Sequence, residues 1–138
     1  MKQPLTYQVR LTTSFEQALD AVTTALKQEG FGVLTRIDVQ NTVKEKLGEE
    51  FRPYVIFGAC NPHLAHRALT ADPSVGVMLP CNVTVEEIGA DILITIVNPK
   101  AMLTFGSLAD NPTIREVAQM ANERMQQVVS HLEKQTAN

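Results

Sequence analysis

Residues 54–60 read YVIFGAC, an almost entirely apolar run that predicts a strand in the interior of a sheet. Asn61 and Pro62 follow it at once. This pair is typical of a helix that begins with an asparagine N-cap and has proline in its first position. The helix is expected to end at Ala71, because Asp72-Pro73 interrupts it.

The N-terminal part of the chain predicts a strand followed by an amphipathic helix. Residues 5–12 alternate apolar and polar side chains, as half-buried strands do. Ser14 and Gln17 have the spacing of a capping box. Apolar residues then recur at helical spacing from Phe15 to Leu26, and Gly30 is the expected end, because glycine readily adopts the left-handed conformation.

The remaining elements follow from the same signals. A strand is predicted over 31–39, a short helix over 41–47, an extended segment over 75–87 with a break at Pro80, and a strand over 92–97. Asp110 or Asn111 is expected to cap a final helix that runs to about Lys134. Together these elements predict an α+β fold, with two long amphipathic helices on one face of a mainly antiparallel sheet.

Length and composition limit the class of protein. The 138 residues fit one domain over 1–138, and 44% hydrophobic with 20% charged residues is ordinary for a globular protein. The net charge of −3 and the lack of a basic block argue against nucleic acid as a partner. No apolar run approaches the roughly 20 residues of a membrane helix. Residues 1–10 lack the apolar stretch of a signal peptide, so a cytoplasmic location with reduced thiols is expected.

The two cysteines of the chain lie in two Cys-Asn pairs, Cys60-Asn61 and Cys81-Asn82, each beside a proline. Three strand pairings are open. A parallel pairing of 54–60 with 75–80, or an antiparallel pairing with 82–87, brings the cysteines together. An antiparallel pairing with 75–80 separates them by roughly 23 Å. Two of the three pairings therefore predict one site.

A small-ligand pocket is the leading interpretation of this site. Cys60 precedes a helix N-terminus, where backbone N–H groups favour a thiolate or another anion. The predicted ligand-binding residues combine the two Cys-Asn pairs and the helix start with two arginines that can hold a carboxylate or a phosphate: Cys60, Asn61, Pro62, Cys81, Asn82, Arg52 and Arg67.

Three other interpretations remain open. Cys60, His63, His66 and Cys81 carry the thiolate and imidazole groups that suit zinc or another transition metal, although the spacing matches no standard zinc motif. Alternatively, Cys60 is an attacking thiolate and Cys81 the resolving thiol of a redox protein, although no Cys-x-x-Cys motif is present. In the third interpretation both cysteines are inert core residues.

The motifs resemble those of the domain-of-unknown-function 302 family. The matching positions cover nearly the whole chain and include the runs 29–34, 37–39, 44–48, 51–54, 58–62 and 79–83, with Ala65, Ala68 and Leu69. The resemblance implies a small α+β domain with a curved antiparallel sheet, similar in arrangement to half of a TATA-box-binding protein. It implies no activity, and this likeness of fold carries no inference about DNA.

The sequence therefore predicts a non-enzymatic binding or sensing module. Neither a glycine-rich nucleotide motif nor a Gly-x-Ser-x-Gly nucleophile motif is present. A homodimer formed through the exposed face or the edges of the sheet is expected.

Overall fold

A computed structural model describes residues 3–136 of the chain. The elements in chain order are β1 (Thr6–Leu11), α1 (Phe15–Gln28), β2 (Gly32–Asp38), α2 (Val39–Leu47), β3 (Tyr54–Cys60), α3 (Pro62–Ala71), a 3₁₀ helix (Pro73–Met78), β4 (Cys81–Ile88), β5 (Asp91–Val97), α4 (Pro99–Leu103), a second 3₁₀ helix (Gly106–Asp110) and α5 (Pro112–Thr136).

The strands form one five-stranded sheet in the order β1-β5-β4-β3-β2, and every neighbouring pair is antiparallel. The register aligns the buried side chains on one face, since Val9 pairs with Ile94 and Val85 pairs with both Ile94 and Val55. The apolar sides of α1 and α5 pack against this face in one hydrophobic cluster. The predicted α+β fold, with two long helices on one face of an antiparallel sheet, is confirmed.

Helix α1 begins and ends where local sequence signals predict. The Ser14 hydroxyl accepts a hydrogen bond from the Gln17 backbone N–H at 3.1 Å. At the other end Gly30 has φ +82°, and the N–H groups of Gly30 and Phe31 donate to the carbonyls of Lys27 and Leu26. These two bonds form a Schellman motif, which turns the chain back into β2 and buries Phe31.

The helices form a second hydrophobic cluster beyond the ends of β3 and β4. Its buried members come from α3, the first 3₁₀ helix, α4 and the N-terminal half of α5: Leu64, Ala68, Val75, Leu103, Ile114, Val117, Ala118 and Ala121. The C-terminal half of α5 contributes Met125, Val128 and Leu132 to the main cluster under the sheet. Helix α5 therefore connects the two clusters.

The prediction of an extended segment before Pro80 is wrong. Residues Pro73–Met78 form a 3₁₀ helix, and β4 begins only at Cys81. The reason is local: the Asp72 carboxylate accepts from the backbone N–H of Ser74 at 3.0 Å and caps the turn, and Pro73 occupies its first position. Both pairings that used 75–80 as a strand are therefore excluded, and the Leu79–Pro80 peptide bond is cis.

None of the helices formed by residues 3–136 is both long enough and apolar enough to cross a bilayer.

Candidate functional site

The two cysteines meet at the carboxyl end of β3 and the start of β4. The antiparallel register pairs Ala59 with Cys81, so Cys60 lies one residue beyond the partner of Cys81. This is one of the two pairings that the sequence favoured. Cys81 shares the helix-covered face with its partner Ala59, and Cys60 follows Ala59 as the last residue of β3. The two cysteines are therefore neighbours at this edge of the structure, and both line one cavity.

Asn61 fixes the junction between β3 and α3. Its side-chain oxygen accepts a hydrogen bond from the Leu64 backbone N–H at 3.2 Å, as expected of an N-cap. A Cβ placed on Gly30 would lie 3.1 Å from the Asn61 side-chain nitrogen, so the Schellman turn of α1 approaches this cap closely. The start of α3 therefore lies beside the turn that ends α1.

A small cavity lies inside this junction, between the main hydrophobic cluster and the second one. Its volume is about 20 Å³, which is enough for one water-sized molecule. Members of both clusters line it, together with the cap and the turn before β4: Phe31, Ala59, Cys60, Asn61, Leu64, Ala65, Ala68, Leu79, Cys81, Leu103, Val117 and Ala121. The wall is therefore apolar apart from the two cysteines and Asn61.

Both cysteines are free thiols, and burial raises the pKa of each. The pKa of Cys81 is raised to about 12, mainly because the group is desolvated and also because the charge of a Cys60 thiolate would repel a second one. A helix N-terminus is expected to stabilise the Cys60 thiolate and so to lower its pKa. Burial has the larger effect, because desolvation raises the pKa of Cys60. At neutral pH both groups are protonated.

The structure does not bring the four residues of the predicted metal set, Cys60, His63, His66 and Cys81, together as one group. The described residues contain no group of three or more His, Cys, Asp and Glu side chains that could hold a metal ion. His63 and His66 lie on the exposed side of α3, whereas Leu64 and Ala68 form its buried side, and Cys81 lies beneath them. Helical geometry thus directs the imidazoles away from the thiols.

The two arginines predicted to hold an anion are engaged elsewhere. Nε and Nη2 of Arg52 donate to the same oxygen of buried Glu86, at 3.1 and 2.9 Å. Its guanidinium also lies over the rings of Phe51 and Tyr54, 4.6 and 5.6 Å from their centroids. Neither Arg52 nor Arg67 lines the cavity.

Arg67, Pro62 and Asn82 also lie outside the cavity. Arg67 forms an ion pair with Glu116 at 3.2 Å on the outer side of α3. Pro62 is the exposed first residue of α3, and Asn82 is exposed on β4. Of the seven predicted ligand-binding residues, the structure brings Cys60, Asn61 and Cys81 to the cavity.

Sequence reasoning missed the apolar residues that form most of the wall. Phe31 reaches the cavity because it follows Gly30 in the Schellman turn, a position that usually makes an apolar contact. Val117 and Ala121 are four residues apart on the predicted apolar face of α5. These signals identified core residues, but they did not indicate that a cavity lay beside them.

Comparisons with known proteins agree with the fold. A family model described as "Domain of unknown function DUF302" matches residues 7–132. The crystal structure of an uncharacterized conserved DUF302 protein from Bacillus stearothermophilus is similar, with a TM-score of 0.81 and 29% sequence identity. The match covers 93% of this chain and 98% of that one. No curated protein matches the sequence.

Proposed function

The chain belongs to the DUF302 family, whose description names no activity, and we propose from the chemistry of the cavity that the protein binds a small, uncharged, apolar molecule. The binding site is the junction of β3, β4 and α3. The observation that carries the proposal is an apolar cavity lined by residues of two separate hydrophobic clusters.

The groups that line the cavity favour a neutral ligand. Cys81 is the buried polar side chain at its inner wall, and with a pKa of about 12 its thiol is uncharged at neutral pH. A carboxylate or phosphate would lose its hydration here, and neither Arg52 nor Arg67 lines the cavity to compensate for that loss. An apolar ligand loses no hydrogen bond on leaving water.

The size of the cavity implies that the site expands on binding. A volume of about 20 Å³ holds one water-sized molecule, whereas even a single aromatic ring needs several times that space. The ligand therefore separates α3 from the strand ends. This movement parts two clusters along their boundary instead of breaking either core.

Benzene and benzoate test the proposal as a matched pair of probes, one neutral and one charged. Each is titrated into ¹⁵N-labelled protein, and amide chemical shifts are followed by NMR. Benzene is expected to shift the amides of Ala59, Leu79 and Ala121, which line the cavity. Benzoate is expected to leave them unchanged, because its carboxylate has no partner there.

Two variants of α3 locate the binding. Ala65 lines the cavity and is half-buried, so Ala65→Phe fills the opening and is expected to abolish the benzene shifts. His63 is exposed on the same helix and does not line the cavity, so His63→Phe is expected to bind benzene like the wild type. Equal binding by both variants, binding of benzoate, or no binding of benzene would each overturn the proposal.

The homodimer expected from the sequence stays a prediction. Strand β2 is an edge of the sheet and none of its side chains is buried, with Leu34 and Ile37 exposed by 68% and 49%. Sedimentation velocity over a range of protein concentrations measures the state directly. A species of monomer mass at every concentration would contradict the dimer.

A further inference from the structure

The residues around the cavity divide into a buried wall and a half-buried opening. Eight of the lining residues are buried, whereas Cys60, Asn61, Ala65 and Leu79 are half-buried. These four, which we call the mouth, are contributed by the end of β3, the start of α3 and the turn before β4. These are the lining residues that solvent contacts, so a ligand from solvent meets them before it meets the buried wall.

Leu79 differs from the other mouth residues in size and in restraint. Cys60 is held in β3 by its pairing with Gly32, Ala65 lies within α3, and the Asn61 side chain is held by its bond to Leu64. Leu79 belongs to neither a helix nor a strand, and its side chain is the large aliphatic one of the four. It packs against the second cluster from the edge, not from within.

We propose that Leu79 is the gate of this cavity and that the size of its side chain sets which apolar ligands are admitted. This proposal rests on the proposed function, because a gate selects ligands only if the cavity binds them. The opening of the gate can nevertheless be tested without a ligand. Rotation of the Leu79 side chain opens the mouth, and the separation of α3 from the strand ends then makes room for the ligand. The residue therefore controls access and does not supply affinity.

Cys81 supplies a direct measure of access, because it is 5% exposed and lines the cavity. A small neutral thiol reagent, methyl methanethiosulfonate, converts it to a methyl disulfide and releases methanesulfinate. The reaction is followed by mass spectrometry in a Cys60→Ser background, so that Cys81 is the sole thiol. The labelling rate then reports how often the mouth opens.

Substitutions of Leu79 are expected to change this rate in both directions. Leu79→Ala removes most of the gate and is expected to raise the rate about tenfold, whereas Leu79→Phe enlarges it and is expected to lower the rate about threefold. Val77→Ala changes an exposed neighbour, 87% accessible, and is expected to have no effect. An unchanged rate in both Leu79 variants would overturn the proposal.

Loss of stability must be separated from opening of the gate. Val75 is fully buried in the same cluster but does not line the cavity, so Val75→Ala destabilises the region and leaves the mouth intact. If Val75→Ala accelerates labelling as much as Leu79→Ala, the reagent enters by local unfolding and Leu79 is not a gate. If Leu79→Ala accelerates labelling and Val75→Ala does not, the result supports the gate. That conclusion holds even if benzene fails to bind and the proposed function is wrong.

Discussion

At Gly58, strand β3 lies close to both β2 and the turn before β4. A Cβ at this position would lie 2.2 Å from Oγ1 of Thr35 and 2.7 Å from Cγ of Pro80. Both distances are far below van der Waals contact, so Gly58→Ala must displace the threonine and the proline ring. We expect the variant to lose about 1–3 kcal/mol of stability in urea unfolding.

Gly32 provides the matched control for Gly58. It lies on the neighbouring strand, and a Cβ there would meet no atom within 4 Å. Gly32→Ala is therefore expected to change stability by less than about 0.5 kcal/mol. Thr35→Ala removes the hydroxyl of the first contact and should recover part of the loss in Gly58→Ala. Equal stability of the two glycine variants would show that the close approach is unimportant.

Cys81 should make stability depend on alkaline pH. Its pKa is about 12 in the folded protein against an ordinary value of 9.0, so above pH 9 the unfolded chain releases this proton first. The contribution of Cys81 is thus complete below about pH 9 and is lost as pH rises towards 12. Unfolding free energies measured at about pH 8 and about pH 10.5 should fall more steeply for the wild type than for Cys81→Ala. Parallel declines would contradict the raised pKa.

At the scale of elements, helix α3 depends on its N-cap. Asn61→Ala removes the bond to the Leu64 N–H and is expected to cost about 1 kcal/mol and to accelerate amide exchange at Leu64. Asn61→Asp retains an acceptor and should remain close to the wild type. Asn41 is exposed on α2, and Asn41→Ala serves as the control. Unaltered exchange at Leu64 in Asn61→Ala would show that packing alone holds α3.

Helices whose N-cap residues supply a side-chain hydrogen bond to the first turn could be predicted from the sequence. Ser14, Asn61 and Asn111 all cap the helices expected of them, because each side-chain oxygen accepts a nearby backbone N–H. The segment 73–78 could not be read correctly from strand propensity, since its two valines favour a strand while the Asp72 cap favours a turn.

The candidate site could be predicted only in part from the sequence. Strand pairing predicted Cys60 and Cys81 as neighbours, and in the structure both line the cavity. The exact register, which pairs Cys81 with Ala59, cannot be read from spacing along the chain. The apolar wall was equally hidden, because a core residue beside a cavity has the same sequence signature as one in tight packing.

At the scale of the whole molecule, α5 is the element that makes two hydrophobic clusters one structure. Ile114 is fully buried in the second cluster and Leu132 is fully buried in the main one, at opposite ends of the helix. Because helix formation is cooperative, a continuous α5 couples the two clusters that it joins. The proposed opening between α3 and the strand ends leaves this helix intact, so the clusters can part there while α5 still joins them.

This arrangement predicts that the two clusters unfold together although they can part locally. Ile114→Ala and Leu132→Ala are each expected to lose about 2–5 kcal/mol and to show one urea transition with an unchanged slope. Far-ultraviolet circular dichroism reports the helices. In a Tyr54→Phe background the fluorescence of Tyr7, which donates a hydrogen bond to Asn122 of α5 at 2.7 Å, reports the main cluster. If Ile114→Ala lost helical signal before the tyrosine signal changed, the clusters would be independent, and α5 would not join them.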